Sequence, residues 1–212
     1  MNLSKSLEEN YNHIKTDFVD CSDFLIRKAK TGNREFLIMV CDGLIDSLQL
    51  SQMVVSPILR CDEIDIDTIK KSITNSVELN EAETFADCYY YVMSGFAVVL
   101  VDGEDKALAF GVQSPPARSV DVPSNEQSTK APKEAFVEVL NTNKALLRKR
   151  LKTPHLKLKQ IKLASSAPMP CVIAYMDDRA DKELVSQITL ALQRSNLNTL
   201  ISEHLSRLLI LI

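Results

Sequence analysis

The chain has 212 residues, 45% apolar and 25% charged, ordinary globular values that exclude wholesale disorder. Its 25 basic and 28 acidic residues leave a net charge of −3, which gives no overall reason to expect a nucleic-acid partner. The longest apolar runs, Phe96–Val101 and Leu208–Ile212, are far shorter than the roughly 18 to 20 residues that span a bilayer. The N-terminus has no apolar signal core, so a soluble, non-exported chain is expected.

Asp23–Ala29 and Glu35–Cys41 read as strands joined across Lys-Thr-Gly-Asn, a glycine-containing hairpin signal. Ser47–Leu59 is apolar at helical spacing, with Pro57 expected to end or kink it. Asp62–Lys71 is acidic, anchored by Ile64, Ile66 and Ile69. Asn80-Glu81-Ala82-Glu83 fits a capping box, and Phe85, Cys88, Tyr89 and Val92 then recur at i, i+3, i+4 and i+7 until Gly95. Phe96–Val101 and Lys106–Val112, around Asp102-Gly103-Glu104-Asp105, form the clearest strand pair.

From Gln113 to Ala131 the composition turns to Pro, Ser, Asn and Gln, a linker. A helix is expected from Pro132, with Phe136, Val139, Leu140, Asn143, Leu146, Leu147 and Leu151 as one stripe, closed by Thr153-Pro154. Leu156–Ala164 and Pro170–Met176 are two further strands. Leu184, Val185, Ile188, Ala191 and Leu192 mark another helix, and Leu197–Ile212 reads as one more, or as the beginning of something cut short. Leu156 and Leu158 share a parity that Ile161 and Leu163 do not, which predicts a β-bulge at Gln160.

Leu37–Gly43 and Val172–Asp178 are related by a shift of 135 positions. Each is the second strand of a hairpin, ends in an acidic turn and leads into an amphipathic helix. The expected class is therefore α/β: two similar subdomains with small mixed sheets flanked by helices, at 1–112 and 132–212, joined by linker 113–131. The second lacks a late hairpin before Ile212. One sheet edge should then stand open and Leu205–Ile212 should be poorly supported.

Three stretches carry a resemblance: Ser94-Gly95-Phe96-Ala97-Val98-Val99-Leu100-Val101-Asp102-Gly103, Arg118-Ser119-Val120-Asp121-Val122-Pro123, and the Pro132–Leu151 helix with its Arg148-Lys149-Arg150 end. Together they resemble the amino-terminal cytoplasmic domain of the A subunit of GerA-type spore germinant receptors, over roughly Asp20 to Arg194. Lys130-Ala131 and Ala135 depart from that pattern. The resemblance implies two α/β subdomains of substrate-binding type followed by a membrane domain. It also implies residence at the spore inner membrane, partnership with other receptor subunits, and sensing of a small nutrient such as an amino acid or sugar. On that reading this chain is a fragment or a truncated member.

Lys144, Arg148, Lys149, Arg150, Lys152, Lys157, Lys159 and Lys162 lie within 19 residues free of acids. Such a tract suits an anionic membrane surface, a solvated face or, as the rival reading, nucleic acid bound by a cytosolic regulator. Asn143 interrupts an apolar stripe; buried, it must pair with backbone of the 113–131 connection or of the following strand, or with a ligand. Arg118, Asn143, Arg148, Lys149 and Arg150 are the ligand or interface candidates. Asp42, Asp102 and Asp177 follow strands, where turn roles are expected. Tyr89 belongs to the core, with Tyr90 or Tyr91 toward solvent. Five cysteines without a C-x-x-C pair, and three scattered histidines, give no metal set. No phosphate-cradling glycine pattern or catalytic set is present, so no enzyme and no cofactor are expected.

Overall fold

Two β-sheets covered by helices organise the residues that the computed structural model describes: 1–32, 34–73, 78–114, 136–163, 169–194 and 209–211. Helix α1 (Leu7–Asp17) lies before the first expected element. Ser6 caps it by accepting the Glu9 N–H, and Glu8 and Glu9 complement its dipole. Strands β1 (Phe24–Thr31) and β2 (Arg34–Cys41) form the expected hairpin in unbroken register from Phe24↔Cys41 to Thr31↔Arg34. Gly32 turns it at φ +56°, where a Cβ would also meet the Asp62 carbonyl.

Pro57 does not stop the following helical run. The chain passes from α2 (Ser47–Gln49) through a π-helical stretch, Leu50–Val55, into α3 (Ser56–Leu59), with Pro57 in the first turn of α3. The Ser56 N–H closes the π turn on the Ser51 carbonyl, and the run leaves α geometry just before the residue that has no N–H to give. Helix α4 (Ile66–Ile73) follows.

The capping box stands four residues later than the sequence reading placed it. Leu79–Ala82 forms strand β3, and helix α5 (Phe85–Val92) is capped by Thr84 and Asp87. The Thr84 Oγ accepts the Asp87 N–H at 3.1 Å, and the Asp87 carboxylate accepts the Thr84 N–H at 3.2 Å. Both tetrads fit the motif, but pairing of Leu79–Ala82 with β5 (Ala107–Gly111) claims the earlier one. Thr84→Ala is therefore expected to cost about 1 kcal/mol, read by urea unfolding, whereas Asn80→Ala has no cap to lose.

With β4 (Phe96–Val101), the first sheet runs β1-β2-β4-β5-β3, antiparallel throughout. Alternate side chains serve two cores. Leu37, Met39, Val98 and Leu100 join Ile14, Phe85, Cys88, Tyr89 and Val92 from α1 and α5. Phe36, Val99, Val101 and Phe110 meet Val54, Ile58 and Ile69 on the other face. The start of the expected linker is pinned: the Ser114 N–H donates to the Leu44 carbonyl and the Asp46 N–H to that of Val112. Residues 115–131 lie outside the described residues.

Helix α6 (Leu140–Arg150) begins later than the Pro132 start expected. Phe136 and Val139 precede it and are exposed, so the apolar stripe begins at Leu140. Strands β6 (Leu156–Leu163) and β7 (Met169–Met176) pair antiparallel without interruption, Gln160 facing Val172 and Ile161 facing Cys171. The expected bulge is absent because both faces are covered. Leu156 and Leu158 pack beneath Leu140 and Leu147 of α6, while Ile161 and Leu163 pack beneath Val185 and Ile188 of helix α7 (Lys182–Arg194). The change of parity moves the chain's anchors from one core to the other.

The end of the chain also differs from expectation. Leu209–Leu211 is strand β8, not helix, and it pairs parallel to β7 from Val172↔Leu209 to Ala174↔Leu211. That gives β7 a partner over three residues where one edge of the hairpin is expected to stand open; the side chains of Leu205–Ile212 lie outside the described residues. Likeness between the two units therefore stops at the third strand, since β2 is followed across its sheet by antiparallel β4. No helix of the described residues is long and apolar enough to cross a membrane.

Candidate functional site

Among the described residues, a continuous run of polar contacts joins the two sheets. From the last residue of α1 to the start of β1 the chain places Asp17, Asp20 and Asp23 three residues apart, and each engages the second unit. The Asp17 carbonyl accepts from Lys157 Nζ at 2.6 Å. The Asp20 carboxylate accepts from the Tyr175 hydroxyl at 3.0 Å and pairs with Lys159 at 3.3 Å. Asp23 takes Arg148 in a bidentate pair, Nε to Oδ2 at 2.8 Å and an Nη to Oδ1 at 3.0 Å. Backbone adds to this strap: the Leu158 N–H donates to the Asp20 carbonyl, and the Ser22 N–H to that of Leu158.

Arg148 points inward because it sits among the buried positions Asn143, Lys144 and Ala145 of α6. Its side chain and that of Asp23 are each only 1% exposed. The remaining Nη bonds the Thr153 carbonyl at 2.8 Å, tying the end of α6 to the turn before β6. Burial disfavours the Arg148 charge, but Asp23 outweighs it and holds the guanidinium more firmly protonated than usual. The Cys41 thiol lies 3.3 Å from Asp23 Oδ2 and donates to it. Burial first, then the Asp23 charge, pushes that thiol up.

At the solvent side of the seam, two hollows of about 330 and 290 Å³ share Thr16, Lys157 and Asp177. His155 and Asp177 face each other across the ends of β6 and β7, Nδ1 to Oδ1 at 2.8 Å, and Lys157 pairs with Asp177 Oδ2 at 3.1 Å. His155, Asp177 and Asp178 could together offer a metal three ligand atoms. The Lys157 ammonium already occupies one Asp177 oxygen, so that trio is a poor metal cradle. The hollows are lined by groups that satisfy one another.

Partial burial works against the Asp177 charge, but hydrogen bonds from His155 and Lys157 outweigh it and hold the carboxyl below its usual range. A depressed carboxyl contributes stability that is complete above its unfolded value, roughly pH 4, and is lost as pH falls through the lower folded value. Unfolding midpoints followed across pH 5 to 2 should therefore fall less steeply for Asp177→Asn than for the parent.

The remaining candidates occupy varied places. Asn143 is fully buried, as expected, and its amide pairs with backbone, but with Val137 N–H and C=O at 2.8 and 2.7 Å rather than with the linker or strand. Its role is to turn the chain into α6. Lys149 and Arg150 are exposed beside buried Arg148. Arg118 lies outside the described residues. Half of the basic tract makes contacts within the chain: Lys152 donates to Ser94 Oγ at 3.0 Å and lies over the Tyr90 ring, while Arg148, Lys157 and Lys159 meet acids. Asp102 accepts the Leu7 N–H at the start of α1, and Asp42 lies 3.4 Å from the Asn141 amide. Tyr89 is buried and hydrogen-bonded to Asp17, and Tyr90 faces solvent.

Sequence reading missed Asp17, Asp20, Asp23 and Tyr175. The three-residue spacing of the aspartates before β1 was the available signal, but only the fold supplies their partners, some 125 to 155 residues away. Chemically the seam is a set of charge pairs that satisfy one another, of which Arg148–Asp23 is closed to water. Burial raises the thiols of Cys88 and Cys171 to about 12 and about 11, which suits structural cysteines.

The sequence profile of the Bacillus/Clostridium GerA spore germination protein family matches residues 12–209. Spore germination protein B1 of Bacillus subtilis (strain 168) is 29% identical over 209 residues, covering 94% of this chain and 42% of that protein. Spore germination protein KA of the same organism is 24% identical over 206 residues, covering 94% and 38%. The chain thus spans about two fifths of the length of these relatives. Its fold matches the crystal structure of the N-terminal domain of the A subunit of the Bacillus megaterium spore germinant receptor GerK3. The TM-score is 0.72 at 24% identity, over 93% of this chain and 75% of that one.

Proposed function

Because this chain belongs to the Bacillus/Clostridium GerA spore germination protein family, we propose that it is the amino-terminal domain of a germinant receptor A subunit. It works without catalysis, beside other receptor subunits at the cytoplasmic side of the spore inner membrane. Its role is relay: a nutrient signal, from an amino acid or a sugar, passes through the relative placement of the two units. The observation that supports relay over direct nutrient binding is the seam, whose charged groups are already satisfied by one another. A preformed ligand pocket keeps convergent polar groups for its ligand. The nucleic-acid reading loses its footing for a related reason, since Arg148, Lys157 and Lys159 are held by acids of this chain.

The test uses spores whose full-length protein carries Lys157→Met, with receptor abundance checked by immunoblot. Relay predicts a lower maximal rate of nutrient-triggered germination at an unchanged half-saturating nutrient concentration. A shifted half-saturating concentration at an unchanged maximal rate would instead place nutrient binding in this domain.

A further inference from the structure

The contacts that join the two units fall into two physical kinds. The Arg148–Asp23 pair is closed to water, bidentate and braced by Thr153 and Cys41. The Asp20 contacts are half open: Asp20 and Lys159 side chains are 34% and 32% exposed. Water can replace the partners of a half-exposed pair at little cost, whereas separating a buried pair leaves two uncompensated charges.

The backbone at Asp20 adds a second difference. Asp20 has φ +60°, the one non-glycine residue with positive φ among those described. Aspartate tolerates this left-handed conformation better than most residues but still prefers to leave it. What holds it is the Tyr175 hydroxyl, Lys159, and the N–H of Leu158 on its carbonyl. The strap's pairing with β6 is only a single parallel bridge, Cys21 to Leu158.

We propose that the seam is a pivot and a latch. Arg148 and Asp23 stay joined as the pivot, while Asp20 releases Tyr175 and Lys159, so that residues 20–22 peel from the edge of β6 and the hollows beside Lys157 widen. The latch deepens the relay reading and rests on it for its purpose: opening changes the placement of β6–β7 without separating the units. Partial burial and the bond to Asp20 both push the Tyr175 hydroxyl up, so it stays a donor throughout the physiological range.

Amide hydrogen exchange on this chain tests it, because the latch is guarded by two identified N–H groups, those of Ser22 and Leu158. In Asp20→Ala, exchange at both should be about tenfold faster, with amides of β2 and β4 unchanged. Asp20→Gly, which loses the carboxylate but accepts the left-handed backbone, should fall between Asp20→Ala and the parent. Tyr175→Phe, which removes only the hydroxyl donor, should give a smaller acceleration at the same two amides. Unchanged exchange at Ser22 and Leu158 in Asp20→Ala would overturn the latch, as would equal acceleration across β2 and β4. A latch that opens in exchange while spores carrying Asp20→Ala respond normally would leave the device standing and refute relay.

Discussion

Replacing Arg148 by methionine is expected to lower stability by about 3–5 kcal/mol, because the substitution leaves the Asp23 carboxylate buried and unpaired. For a chain of this length that corresponds to a fall of roughly 6–20 °C in the unfolding midpoint. Asp23 is 1% exposed and its other neighbour is the weak Cys41 thiol donor, so nothing nearby can take the place of the guanidinium. The pair itself is worth much less than its disruption costs. Asp23→Leu combined with Arg148→Met should therefore recover most of the loss, since two apolar groups replace two charges. Urea unfolding of both single variants and the double variant measures this; a single-variant loss below about 1 kcal/mol would contradict a closed, dry pair.

The second large effect concerns the sheet of β6 and β7. Leu158 is fully buried beneath α6 and Ile161 nearly so beneath α7. Truncating either to alanine should cost about 2–5 kcal/mol, the range for large-to-small changes in packed cores. A one-sided sheet would give a large loss at one position and a small one at the other. Comparable losses at both, measured by the same urea titration, follow from a sheet covered on its two faces.

That two-sidedness shows where the sequence stopped being legible. Strands β1, β2, β4, β5, β6 and β7 and helices α5 and α7 stand out as periodic apolar runs between turn residues, and the α/β class follows from their order. The parity change between Leu158 and Ile161 was also visible, but alternation alone cannot distinguish a bulge from a second core. The answer depends on α6 and α7 lying on opposite faces. The cap at Thr84 rather than Asn80 was decided by the pairing of β3 with β5, again a long-range fact. Strand β8 is not distinguishable from helix in the sequence because Leu-rich segments suit both, and the structure pairs it with β7. The seam was the least legible part. A basic run reads as a surface when its partners, the Asp17 carbonyl and the carboxylates of Asp20 and Asp23, lie more than 120 residues away in sequence. Arg148 carried no local mark distinguishing it from exposed Lys149 and Arg150; only the buried stripe of α6 does so.

Relay requires the two units to be one mechanical body, joined by the seam and not merely linked by the chain. Differential scanning calorimetry of this chain tests that most directly. Coupling through Arg148–Asp23 and the Asp20 strap predicts a single endotherm whose calorimetric enthalpy equals its van't Hoff enthalpy, moved to lower temperature in Arg148→Met. Two resolved endotherms in the unaltered chain would show that the units unfold independently and that the seam does not couple them.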